Sequence, residues 1–245
     1  MQSDVHFTCD DGLFMPGLLT TPTIEQSGPR PGLLLIYEAF GMNDEMARVA
    51  AELSDEGWTV LIPDLFARGR KPFCVVRCLR AMMTGEGAAL DDLEAARRWL
   101  AELPEVDADR IGVVGFCMGG GFALLLAMTG KYRASAPFYG HAPKRMPASC
   151  PVVGSYGEKD ITLRSAPATL ERNLERLGVA HDIKTYPEVG HSFFTRPHNR
   201  VMEMVGPYTP LHLGYDETSA KDAHERVVAF FREHLDAVRP YDRTR

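Results

Sequence analysis

The stretch Arg110-Ile111-Gly112-Val113-Val114-Gly115-Phe116-Cys117-Met118-Gly119-Gly120-Gly121 constrains this chain more than any other. Its first five residues are a short β-branched run of the kind that makes a buried parallel strand. From Met118 to Met128 the residues are almost wholly Ala, Leu, Met and Gly, which favours a buried helix. A strand that runs into a helix through Gly-x-Cys-x-Gly matches the nucleophile elbow, with cysteine in the usual serine place. A nucleophile on an elbow occupies a strained turn, and its neighbours must be small enough for strand and helix to approach. Such a turn lifts the Cys117 sulfur out of the sheet and points the next backbone N–H, that of Met118, at an incoming carbonyl oxygen. The competing reading is a buried structural cysteine beside packing glycines. The flanking strand and helix favour the elbow.

The chain before the elbow has βαβ rhythm. Val5 to Cys9 and Leu13 to Thr20 read as two strands around the turn Asp10-Asp11-Gly12. A Pro-, Gly- and Ser-rich loop from Thr21 to Pro31 leads to Gly32-Leu33-Leu34-Leu35-Ile36-Tyr37, an apolar run of central-strand length. Asn43 is placed to cap a helix in which Met46, Val49, Ala50 and Leu53 recur at helical spacing. Trp58 to Ile62 is the next strand, and Gly87 to Leu103 an amphipathic helix. The prediction is an α/β chain with a mostly parallel central sheet and helices on both faces. In such sheets ligands gather at the carboxyl ends of the strands, where Glu38 and Cys117 both fall. Glu38 is either a solvated or capping carboxylate or one that faces the thiol. In the second case the Ala39 N–H is a second oxyanion donor beside Met118. Leu65 to Thr84 is the least regular stretch. Arg77 and Arg80 share a face if it is helical, and they either hold an anionic substrate group or are simply solvated.

Beyond the elbow, Ala134 to Tyr139 and Pro151 to Tyr156 read as strands, and the second leads into Gly157-Glu158-Lys159-Asp160. His181 to Tyr186 is a further strand, followed by Pro187-Glu188-Val189-Gly190-His191-Ser192-Phe193. Nucleophile, acid and histidine therefore occur as Cys117, Asp160 and His191, each after a strand and in the order of the α/β-hydrolases. His141, His181, His198, His212, His224 and His234 read as surface or packing residues. A long loop from 196 to 218 precedes a closing helix of about Ser219 to Val238. Nothing along the chain reads as a linker or repeat, so residues 1–245 are expected to form one domain.

Bulk properties narrow the class. The 245 residues are 45% hydrophobic and 24% charged, with a formal charge of −6 and no basic block. That balance suits a soluble globular protein and speaks against nucleic acid or an anionic membrane as partner. No apolar run is long enough for a membrane span, and the N-terminus lacks signal-peptide features. Five cysteines without framework spacing fit a reducing cytoplasm. Cys74 and Cys78 read as structural, since no second pair completes a zinc site. No metal or cofactor is expected, and the chain is expected to be a monomer or weak homo-oligomer.

Four segments together resemble the dienelactone hydrolases (carboxymethylenebutenolidases) of the α/β-hydrolase fold. They are Tyr37-Glu38-Ala39-Phe40-Gly41-Met42-Asn43, Trp58 to Leu65, Gly115-Phe116-Cys117-Met118-Gly119-Gly120 and Gly190-His191-Ser192-Phe193. The resemblance implies a Cys117–His191–Asp160 triad, an oxyanion hole at the Ala39 and Met118 N–H groups, and Glu38 as a switch that takes the thiol proton once substrate binds. It also implies arginines for a lactone carboxylate, with Arg77, Arg80 and Arg196 as the nearest matches and Tyr139 a further substrate-binding candidate. Two departures stand out. Thr195 occupies the place where the second arginine is expected, and the loop beyond it is long. The implied activity is hydrolysis of enol-lactones. A broad carboxylesterase and a non-catalytic binding protein of the same fold are the alternatives.

Overall fold

The computed structural model describes residues 1–23, 28–197 and 200–236, with the side chains of 200–202 left aside. Eight strands form one sheet: β1 (Gln2–Thr8), β2 (Phe14–Thr20), β3 (Arg30–Ile36), β4 (Thr59–Pro63), β5 (Val106–Phe116), β6 (Ala134–Phe138), β7 (Val152–Gly157) and β8 (His181–Tyr186). Their spatial order is β1-β2-β4-β3-β5-β6-β7-β8. β1 and β2 form an antiparallel hairpin, β2 runs antiparallel to β4, and every pairing from β4 through β3 to β8 is parallel. Every parallel connection except that from β6 to β7 crosses over through helices. These are α1 (Asp44–Asp55), α2 (Lys71–Thr84), α3 (Ala88–Ala101), α4 (Met118–Ala127) and α5 (Ala166–Leu177), with α6 (Arg200–Val205) and α7 (Glu217–Phe231) closing the chain.

The expected periodicities explain the packing. β3 and β5 are buried at the middle of the sheet, where apolar side chains line both faces. α1 buries Met46, Val49, Ala50 and Leu53, and the Asn43 side chain accepts the Met46 N–H at 2.9 Å to cap it. α4 has no polar face because it is covered on all sides. α7 buries Ala220, Ala223, Val227 and Phe231, the last edge-on to Trp58.

Three expectations need correction. Leu65 to Thr84 is more ordered than its composition suggests, since Lys71–Thr84 is a full helix. Pro72 opens it and a left-handed Gly85 closes it. Its buried face consists of small residues, Cys74, Cys78 and Ala81, which carry little hydrophobic periodicity. The segment predicted as a loop over 196–218 contains α6 and a 3-10 turn at Gly206–Tyr208. The closing helix starts two residues earlier than predicted and ends in a π turn at Arg232–Asp236; Val238 lies outside the described residues.

Candidate active site

The carboxyl ends of β3, β5, β6, β7 and β8 meet at one edge of the sheet and deliver the predicted residues together. Cys117 is the N-cap of α4 with φ 55° and ψ −113°, a left-handed conformation that a side chain rarely adopts. Its backbone N–H is fixed by the Phe138 carbonyl at 3.1 Å. The glycine spacing is steric. A Cβ on Gly119 would sit 2.1 Å from the Ile36 carbonyl oxygen, and one on Gly115 would sit 2.0 Å from the Gly119 carbonyl oxygen. Met118 is the first residue of α4, so no carbonyl within the helix accepts its N–H. Ala39 lies in the Glu38–Gly41 turn, closed by the Gly41 N–H donating to the Glu38 carbonyl at 3.0 Å.

Asp160 and His191 lie on the turns after β7 and β8. Those turns touch so closely that a Cβ on Gly157 would fall 2.2 Å from the Gly190 carbonyl oxygen. Both side chains are buried, and His191 Nδ1 lies 2.6 Å from Asp160 Oδ2. The other Asp160 oxygen accepts the Thr162 hydroxyl at 2.6 Å and the Thr162 N–H at 2.9 Å. Burial works against the Asp160 carboxylate, but the hydrogen bonds from His191 and Thr162 outweigh it and hold its pKa below the usual value. Burial likewise opposes a charged His191. The Asp160 hydrogen bond and the neighbouring Cys117 sulfur prevail and lift it to about 10. His191 Nε2 is buried without a hydrogen-bond partner. The Cys117 sulfur is close enough to the ring to help raise its pKa.

Glu38, 7% exposed, has an environment the sequence did not announce. Its Oε1 accepts three hydroxyls, from Thr195 at 2.9 Å, Tyr139 at 3.0 Å and Ser192 at 3.1 Å. Tyr139 and Ser192 both have positive φ, 39° and 60°, so strained backbone clusters around Cys117. Tyr139 is buried, with its ring 4.8 Å from that of His191. Burial, and then the Glu38 charge, raise its phenol pKa well above the usual value. Tyr139, an expected substrate-binding residue, is buried and gives its hydroxyl to Glu38. Ser192, Thr195 and Thr162 were not singled out for these contacts. The Asp-x-Thr spacing of 160–162 was a usable signal, since Asp side chains commonly accept from the backbone two residues on.

The arginines separate. Arg77 is half-buried, and its Nη2 donates to the Leu65 carbonyl at 3.2 Å. Arg80 is exposed. Neither lines the pocket that opens on Glu38, whose walls include Phe40, Met46, Ser192, Thr195, Arg196 and Leu213. Arg196 borders that pocket but is exposed, its guanidinium 5.6 Å over the Tyr215 ring. Its N–H donates to Glu45 at 2.9 Å. The segment after Arg196 braces the histidine turn, because Leu211 O accepts the His191 N–H at 2.8 Å and Phe193 O accepts the Asp216 N–H at 3.0 Å. His198 lies outside the described residues. Cys74 and Cys78 are buried on α2, where burial pushes the Cys78 thiol up to about 11.

Comparison with known proteins agrees with this fold. The dienelactone hydrolase family matches residues 15–235. A carboxymethylenebutenolidase of Rhodococcus opacus is 27% identical over 241 residues, covering 90% of this chain and 89% of that one. The crystal structure of a dienelactone hydrolase-like promiscuous phosphotriesterase from metagenomic libraries superposes with a TM-score of 0.80 at 25% identity. It covers 96% of this chain and 98% of that one. A dienelactone hydrolase of Anabaena variabilis, at 15% identity and a TM-score of 0.65, covers 96% of this chain and 98% of its own and shares the fold.

Proposed function

The chain belongs to the dienelactone hydrolase family, hydrolases of ester and lactone bonds on the α/β-hydrolase fold, and on that premise we propose that it hydrolyses enol-lactones through Cys117 as nucleophile. One observation carries the reading. Cys117 stands on a left-handed elbow at a helix N-terminus, beside a His191 whose Nε2 is unbonded and whose Nδ1 is held by Asp160.

The chemistry follows from those positions. A free thiol is mostly protonated at neutral pH, so Cys117 must lose its proton to act. Glu38 takes that proton as substrate binds, and the thiolate attacks the lactone carbonyl. The tetrahedral oxyanion is held by the Met118 and Ala39 N–H groups. Collapse breaks the ring C–O bond and leaves an acyl-thioester; the expelled enolate oxygen takes the proton held on Glu38, which returns to its carboxylate. Acylation removes the pull of the sulfur on the ring, so His191, oriented by Asp160, can take a proton from water, whose oxygen attacks the thioester; the acid departs and the leaving thiolate takes that proton back from His191. An enol is a good leaving group and suits a thiolate.

The second reading, a carboxylesterase of wider range, is favoured by a specific observation. Thr195 rather than an arginine donates to Glu38, and Arg196, which lines the same pocket, is exposed with its guanidinium over the Tyr215 ring. In either reading the chain works as one domain, which the continuous sheet supports. No helix among the described residues is long and apolar enough to cross a membrane, and the cytoplasm is the proposed location.

Steady-state hydrolysis of a dienelactone, followed by ultraviolet absorbance, tests the proposal. Wild type should turn it over, and Cys117→Ala should lose at least about a thousandfold in kcat. Undiminished hydrolysis by the variant would overturn the assignment of the nucleophile.

A further inference from the structure

We propose that Thr195 is a positioning residue that holds Glu38 for proton transfer, an inference that rests on the cysteine-hydrolase reading above. Three facts carry it. Thr195 is 4% exposed, and its Oγ1 gives Glu38 Oε1 the shortest of its three hydroxyl contacts, 2.9 Å. The same Oγ1 lies 3.3 Å from the Tyr139 hydroxyl, so Thr195 joins the two other members of the cradle. Its backbone N–H closes the turn onto Ser192 O at 3.3 Å, and Ser192 is the third hydroxyl donor.

Counting protons makes the arrangement directional. Tyr139, Ser192 and Thr195 each own a single hydroxyl proton. With all three given to Glu38 Oε1, none is left for the contact between Tyr139 and Thr195, which is the longest of the set. Oε1 is then saturated. No described residue donates to Oε2, and Glu38 is part of the pocket wall, so Oε2 is the oxygen that remains to receive a proton. Threonine suits the task because its β-branch restricts χ1 and aims the hydroxyl. No Lys or Arg nitrogen among the described residues pairs with Glu38, so neutral donors alone fix it in place.

The test compares Thr195→Val, which keeps the shape and removes the hydroxyl, with Thr195→Ser, which keeps the hydroxyl. Wild type and Cys117→Ala are measured alongside on 4-nitrophenyl acetate and on dienelactone, with thermal unfolding of every variant. Thr195→Val should lose about tenfold or more in kcat with KM changed less than threefold, while Thr195→Ser recovers to within threefold of wild-type kcat. Wild-type kcat in Thr195→Val overturns the inference. So does equal impairment of the two variants, which would mean that side-chain shape matters and the hydroxyl does not. Turnover that survives in Cys117→Ala would instead overturn the underlying hydrolase reading, so the two failures are distinct.

Discussion

Replacing Gly119 by alanine sets helix propensity against the elbow. On an open helix the change gains about 1 kcal/mol, because glycine loses more backbone freedom on folding. Here the new Cβ would lie 2.1 Å from the Ile36 carbonyl oxygen, 2.7 Å from its carbon and 2.9 Å from the Tyr37 oxygen. All three atoms are backbone at the end of a central strand, so β3 and α4 must part by about 1 Å to reach ordinary contact distances. Overpacking costs about 1–3 kcal/mol where side chains can yield, and more where they cannot. The expected net loss is therefore about 3 kcal/mol. Gly121→Ala is the internal control, since its Cβ would meet only the Met82 side chain, 2.3 Å from Sδ, and that chain can swing away. Its net cost should stay near or below about 1 kcal/mol. Urea unfolding followed by the fluorescence of Trp58 and Trp99 measures both, with midpoints compared at equal slope. Where Gly119→Ala still folds, the Met118 N–H moves with α4, and kcat should fall about a hundredfold. The steric reasoning is refuted if Gly119→Ala lies within 1 kcal/mol of wild type, or above Gly121→Ala in stability.

Three further outcomes follow from buried charge. His191 has a raised pKa, so its stabilising contribution is complete below its unfolded value near 6.5 and is lost as pH climbs through about 10. Asp160 has a lowered pKa, so its contribution is complete above 3.8 and is lost as pH falls further. The urea midpoint should thus decline above pH 6.5 in wild type and lose most of that alkaline slope in His191→Gln. Asp160→Asn, by leaving the imidazole without its acceptor, should lower kcat/KM about 10³- to 10⁴-fold on the precedent of serine hydrolases. Elsewhere, Arg68 donates to the almost fully buried Asp92 at 2.7 and 2.5 Å and also reaches Asp11. Arg68→Met strands that carboxylate and should cost about 3–5 kcal/mol by urea unfolding, a loss that Arg68→Met with Asp92→Leu should largely recover.

What could be read from the residues and what could not divides along sequence distance. The β-branched and leucine runs at 32–37, 59–62 and 110–114, each closed by a helix signal, are local patterns, and the parallel core follows from them. Cys117, Asp160 and His191 were legible because each ends a strand in a recognisable order. The Glu38 cradle was not. Its donors Tyr139, Ser192 and Thr195 are separated from Glu38 by 101 to 157 positions and are joined only by the strand order of the sheet. α2 was obscured because it buries small cysteines and alanine while Phe73, Val76 and Met83 face outward, which inverts the usual amphipathic signal. Arg196 and Thr195 show how a single position decides chemistry. The residue one place earlier faces Glu38, and its neighbour lies out on Tyr215.

His191 is held at two independent points, its ring by Asp160 on the turn after β7 and its backbone N–H by the Leu211 carbonyl of a strap outside the sheet. The segment from 206 to 216 therefore sets where the histidine turn sits. A substitution at Leu211, which does not line the pocket, should alter kcat before KM.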